Sequence, residues 1–187
     1  MPSLVANSPL GDFRQEFDGL EVAEVTGLAI VSIATPHGRE AELAGAVLDA
    51  WGIEFPPVGA SIESTAGEIR ILGLQPGQVF ALFQRDDERP AEAIARKIGD
   101  YGYYTDQSDS WAILRISGDR SREALERICA LDLHPDVFKT GGVARTVMEH
   151  LGVIVLRDKD DAFLLLSARS SAPSFLHAVV TSAKNIQ

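Results

Sequence analysis

The sequence predicts an α+β fold made of two ferredoxin-like βαββαβ-type units. Three observations predict it. Short apolar runs alternate with stretches whose apolar residues recur at helical spacing. Two of the runs are joined by Gln75-Pro76-Gly77, where Pro suits position i+1 of a type II turn and Gly the positive φ at i+2. The order in the first half is strand, helix, strand, strand, helix, strand, the split βαβ pattern of that fold, and the second half begins the same way.

The elements follow in order. Residues 1–20 mix Pro, Gly and charge around Phe13, Phe17 and Leu20, and read as an extended N-terminal arm. Residues 21–106 form the first ferredoxin-like unit and residues 107–187 the second. In the first, residues 27–34 (GLAIVSIA) are a buried strand. Thr35-Pro36 opens a helix with Leu43, Val47, Leu48 and Trp51 on its apolar face, and Gly52 ends it. Residues 55–59 are a loop. Residues 68–74 and 78–84 are strands. A charged break at residues 85–90 leads into a helix carrying Ala91, Ile94, Ala95 and Ile98, stopped by Gly99 and Gly102. In the second unit, residues 111–117 are a strand that Gly118 breaks. Asp119 is placed to cap a helix over residues 120–130, whose apolar face holds Leu125, Ile128 and Cys129. Strands are expected at residues 143–148, 153–157 and 162–167. A last helix starts near Pro173 and sets Phe175, Leu176, Val179 and Val180 to one side.

Composition narrows the class. A chain of 187 residues buries about 70% of the surface that it exposes when unfolded, enough for a core. With 17 basic and 27 acidic residues the net charge is −10. That balance opposes nonspecific binding to nucleic acid or anionic membranes, which needs clustered Lys and Arg. One cysteine excludes an internal disulfide. The first residues lack the apolar core of a signal peptide, and no run approaches the ~20 apolar residues of a membrane span, so a cytoplasmic protein is expected.

The motifs of the second half carry a resemblance. Thr105-Asp106-Gln107-Ser108-Asp109-Ser110-Trp111, Ile128-Cys129-Ala130-Leu131-Asp132-Leu133-His134-Pro135, Ala144-Arg145-Thr146, and Ala168-Arg169-Ser170 with Ser174-Phe175 resemble the gamma subunit of heterotetrameric sarcosine oxidase. That subunit is related to the N-terminal fold of the glycine-cleavage aminomethyltransferases (T-proteins). The resemblance implies a T-protein N-terminal-domain-like fold and a gamma subunit without an active site, acting as an assembly scaffold. It implies partners, the alpha, beta and delta subunits, in a complex that oxidises sarcosine to glycine with hydrogen peroxide and a folate-bound one-carbon unit. It further implies that FAD, FMN, NAD, tetrahydrofolate and zinc sit in those partners and none in this chain. In the T-proteins a catalytic carboxylate lies in a long loop after the strand matching residues 143–148. Here Met148-Glu149-His150-Leu151-Gly152 runs straight into the next strand.

The residues themselves agree in type. His37, His134, His150 and His177 share no metal-ligand spacing with each other or with Cys129. Gly141-Gly142 precedes a strand rather than a helix, and neither a dinucleotide fingerprint nor a phosphate loop is present. Asp106, Asp109 and Asp132 fit turn chemistry better than acid–base chemistry. No catalytic, cofactor-binding or metal residue is therefore assigned. Phe13, Phe17, Arg115, Arg145 and Arg169 are the candidate interface residues, aromatics and Arg being the usual anchors of such contacts. Two other classes remain open: a free-standing folate-binding protein of the T-protein group, and a homo-oligomeric structural protein.

Overall fold

The computed structural model describes residues 7–186. They divide into two compact units. Residues 27–110 with 140–145 form one. The described residues up to Thr26, with Trp111–Lys139 and those from Thr146 onward, form the other.

The 27–110 unit carries a five-stranded antiparallel sheet. Its strands are β3 (Leu28–Ala34), β4 (Ser61–Glu63), β5 (Arg70–Gln75), β6 (Gln78–Gln84) and β7 (Tyr103–Asp106), in the order β4-β5-β6-β3-β7. Without the short edge strand β4, this is the ferredoxin-like order, with the first and third strands side by side in the centre. Gly77 closes the β5–β6 hairpin at φ 71, as the type II turn requires. Helices α1 (Glu40–Trp51) and α2 (Pro90–Ile98) bury Leu43, Val47, Ile94 and Ile98 against Val31, Ile33, Ile71 and Ala81. Two local expectations shift. α1 starts at Glu40 instead of at Pro36, because Gly38 at φ 82 turns the chain first. Leu48 points away from the core and is 46% exposed. The end of α1 is as read: Gly52 is left-handed and its N–H donates to Leu48 O at 2.8 Å.

The split unit holds a six-stranded sheet, in the order β1-β2-β8-β11-β10-β9. Here β1 is Arg14–Phe17, β2 Leu20–Glu24, β8 Trp111–Ser117, β9 Val143–Met148, β10 Leu151–Lys159 and β11 Ala162–Ala168. Helices α3 (Ser121–Glu126) and α4 (Ala172–Lys184) complete it. The core gathers Leu114, Ile116, Leu125, Phe163, Leu165, Phe175 and Val179, all at most 1% exposed. α3 is six residues long, not eleven, and its N-terminus has no side-chain cap from Asp119: Arg120 occupies the cap position.

The largest difference lies at the N-terminus. Residues 14–24 are a hairpin, not an extended arm. Phe17 pairs with Leu20 across a two-residue Asp18-Gly19 turn, with Gly19 at φ 75. β2 then pairs antiparallel with β8, Glu21 opposite Ser117 and Glu24 opposite Leu114. This is the position of the fourth strand in a ferredoxin-like sheet, so the second unit begins with residues from the start of the chain. A boundary at residue 20 or 21 therefore divides this hairpin. The described part of the arm, with β2, packs with residues 111–186: Leu20 and Val22 are 5% and 0% exposed in that core, and Phe13 and Phe17 lean on it. Residues 1–6 of the expected arm lie outside the described residues.

Candidate functional site

The carboxylates within the motifs are engaged locally. Asp106 Oδ1 accepts the Ser108 N–H at 2.9 Å and its hydroxyl at 2.6 Å. Asp109 pairs with Arg85 at 3.2 Å. Asp132 Oδ1 accepts the His134 N–H at 2.9 Å, and His134 O accepts the N–H groups of Val137 and Phe138. Each side chain shapes a turn or an exposed ion pair, as short Asp and Ser side chains commonly do.

The connection that matters most by the resemblance is equally constrained. β9 ends at Met148 and β10 begins at Leu151, so only Glu149 and His150 join them. Both are left-handed, at φ 46 and 69, a conformation that costs a non-glycine residue roughly 1–2 kcal/mol. Two turn residues stand in place of the long loop that the resemblance puts here. Cys129 offers no nucleophile either. It is 9% exposed among Leu125, Leu133 and Met148, and burial pushes its thiol up, opposed in part by the Leu131 N–H and the Thr146 hydroxyl. Among the described residues, no group of three or more His, Cys, Asp or Glu could hold a metal ion, and no helix is long and apolar enough to cross a membrane.

One functional group in the core escaped sequence reasoning. Arg157, on β10, is 3% exposed. Its Nη1 donates to Phe138 O at 2.8 Å and, more weakly, to Leu133 O at 3.5 Å. Its Nη2 donates to Asp160 O at 2.6 Å. The guanidinium also lies 5.6 Å from the centre of the Phe163 ring. Carbonyl dipoles thus solvate the buried cation and fix the 133–138 loop to the sheet. The signal was an Arg closing the apolar run Val153-Ile154-Val155-Leu156.

A trough lies beside α4 in the split unit. One wall is the segment before β1. The Glu24 carboxylate accepts the N–H groups of Leu10 and Asp12 at 2.9 and 2.8 Å, Ser8 Oγ accepts the Asp12 N–H at 2.9 Å, and Arg169 donates to Asn7 O at 2.8 Å. These bonds hold Pro9, Leu10 and Phe13 opposite Pro173, Leu176 and Val180, around an apolar cleft of about 450 Å³. His177 lies at the cleft and also lines a neighbouring hollow of about 310 Å³, with Arg127, Glu149, Ser174, Thr181 and Asn185. The helical period explains this division: Leu176 and Val180 recur at i, i+4, as do His177, Thr181 and Asn185.

The five candidate interface residues do not form one cluster. Phe13 lines the trough, and Arg169 ties down the segment that builds its wall. Phe17 lies on β1, half-buried against the same core. Arg115 is committed to an ion pair with Asp158. Arg145 lies over the Phe80 ring, 5.6 Å from its centre.

Two ferredoxin-like units, one of which takes its fourth strand from residues 20–24, make a fold also seen in an aminomethyltransferase. Glycine cleavage system aminomethyltransferase T from Bartonella henselae shares it, with a TM-score of 0.63 at 10% identity over 84% of this chain and 44% of that chain. Residues 37–184 match the family described as "Sarcosine oxidase, gamma subunit family", and the chain belongs to that family. It is 26% identical over 160 residues to the sarcosine oxidase subunit gamma of Corynebacterium sp. (strain P-1), covering 86% of this chain and 76% of that protein. It is 25% identical over 146 residues to the one from Arthrobacter sp., covering 78% and 70%. A chain of the heterotetrameric sarcosine oxidase from Corynebacterium sp. U-96 has the same fold, with a TM-score of 0.77 at 18% identity over 89% of this chain and 84% of that one.

Proposed function

We propose that this chain is the gamma subunit of a cytoplasmic heterotetrameric sarcosine oxidase, and that it acts as an assembly subunit. The alpha, beta and delta subunits would bring FAD, FMN, NAD, tetrahydrofolate and zinc. They would oxidise sarcosine to glycine, reduce oxygen to hydrogen peroxide, and pass the one-carbon unit to tetrahydrofolate or release it as formaldehyde. This chain would hold them by packed surfaces. Membership of the gamma-subunit family over residues 37–184 supports the assembly. The observation that carries the scaffold role is the two-residue Glu149-His150 turn. By the resemblance, the related transferases extend a carboxylate-bearing loop at this point, and on this reading the chain would lack that means of handling an amine.

The test is co-expression of a tagged copy of this chain with the larger subunits of its own source. Co-purification of all four at a fixed ratio, with sarcosine-dependent peroxide formation, is expected. A chain that purifies alone and binds tetrahydrofolate tightly would overturn the assembly role in favour of a free-standing folate-binding protein.

A further inference from the structure

The hollow of about 310 Å³ beside α4 brings two unlike charges to one opening. Arg127 follows the last residue of α3, and Glu149 stands in the β9–β10 turn. The bridge between Cys129 and Met148 sets these two segments side by side. The third wall is α4, where Ser182 Oγ donates to Ala124 O at 2.6 Å and ties the helix to α3. Phe175 and Val179 root α4 in the core. The walls are thus formed before anything enters, which lowers the ordering cost of binding.

Among the described residues, Arg127 and Glu149 form no ion pair, with each other or elsewhere. The acidic neighbours of Arg127 on α3 are already taken. Arg120 holds Glu123 at 2.9 Å, and Arg122 holds Glu126 at 3.6 Å. Glu149 keeps φ 46 in a two-residue turn where Gly or Asn is the unstrained choice. Strain of this kind gathers at ligand sites.

The charge count selects the ligand. One Arg and one Glu cancel, so the hollow favours neither a simple anion nor a simple cation. It suits a molecule that carries both charges a few bonds apart. An Arg fork takes a carboxylate through two parallel hydrogen bonds, and a Glu carboxylate takes an ammonium. Thr181 and Asn185 add a hydroxyl and an amide, and Ile128 an apolar surface for a short side chain. The volume lies at the lower end for ligand pockets, which selects a small ligand.

We propose that this hollow binds a small α-amino acid as its zwitterion, the carboxylate on Arg127 and the amino group on Glu149. The site lies wholly within the split unit, and the proposal does not depend on the assembly reading. Sarcosine and glycine, substrate and product under that reading, belong to the ligand class and serve as probes.

The experiment is calorimetric titration of the purified full chain with glycine, sarcosine and alanine. Acetate and methylamine, each with one of the two charges, are the single-charge controls. Saturable binding of the amino acids is expected, with both controls at least about tenfold weaker. Arg127→Gln removes one charge. Glu149→Asn removes the other at a backbone conformation that Asn adopts readily. Each is expected to weaken binding about tenfold or more, while Arg122→Gln, which loses only the pair with Glu126, binds as the parent does. Thermal melting without ligand verifies the fold of every variant. A folded parent that binds no amino acid into the millimolar range overturns the inference. Binding that survives both substitutions overturns it by placing the ligand elsewhere. Acetate binding equal to that of glycine overturns it in favour of an anion site. Failure of the chain to co-purify with larger subunits would overturn the assembly reading alone.

Discussion

Arg157 is the residue whose chemistry sets most of its surroundings. A buried cation without a partner costs several kcal/mol in desolvation, yet removing it strands the groups that it satisfied. The carbonyls of Leu133, Phe138 and Asp160 converge on its guanidinium fork. Arg157→Leu is expected to destabilise the chain by about 2–4 kcal/mol through those orphaned acceptors. Arg157→Lys is expected to restore only part of the loss, since an ammonium cannot reproduce a planar fork. Denaturant unfolding of both variants checks this; a Leu variant as stable as the parent would show that the carbonyls find water instead. Cys129 gives a second test at this scale. Burial raises its thiol pKa, so the unfolded chain loses the proton first as pH rises. Its contribution is complete below the unfolded thiol pKa, about 8.5, and declines as pH climbs from there through the raised folded value. Native Cys129 is expected to react with a thiol reagent far more slowly than in denaturant at pH 8. Equal rates would place the thiol at the surface.

At the scale of elements, the N-terminal hairpin changes what a truncation should do. Removing residues 1–18 strips β1 and the Phe13 and Phe17 contacts from the core, so a clear loss of stability is expected rather than an intact fold. Removing residues 1–24 also takes the strand that pairs with β8 and is expected to unfold the split unit. Melting of the two truncations separates these outcomes, and a 25–187 chain that melts like the parent would refute the placement of β2. Gly118 is coupled to the same hairpin: it sits at φ 124, and a Cβ there would lie 2.3 Å from Gly19 O. Gly118→Ala is therefore expected to cost more than about 1 kcal/mol. The local periods gave β8, β9, β6 and α2 nearly to the residue, because each is apolar on a regular repeat and ends at Gly, Pro or charge. The hairpin also had a signal, Asp18-Gly19 between Phe17 and the alternating run Leu20-Glu21-Val22. Its strands are short and charged, and only the distant pairing with β8 gives them a reason to form. The trough was unreadable for a related reason: its two walls lie more than 150 positions apart in sequence, and their proximity depends on that same pairing.

For the whole molecule, the division of labour makes the strongest demand. The polar groups that sequence reading weighed for chemistry have structural duties here: Asp106 and Asp132 hold turns, Asp109 pairs with Arg85, and Cys129 is packed in the core. On the proposed scaffold role, the chain would affect a reaction only through what it holds together. The purified chain is expected to give no peroxide and no methylene-folate from sarcosine, tetrahydrofolate and oxygen. Within the proposed complex, surface variants that weaken assembly are expected to lower the amount of assembled oxidase. The kcat of the complexes that do form, counted per flavin, should stay at the parent value. A catalytic contribution would act the other way, leaving assembly unchanged while kcat falls. Counting flavin and peroxide in the same size-fractionated sample distinguishes the two. A variant in this chain that slows every assembled complex would place one of its side chains at the reacting centre and end the scaffold reading.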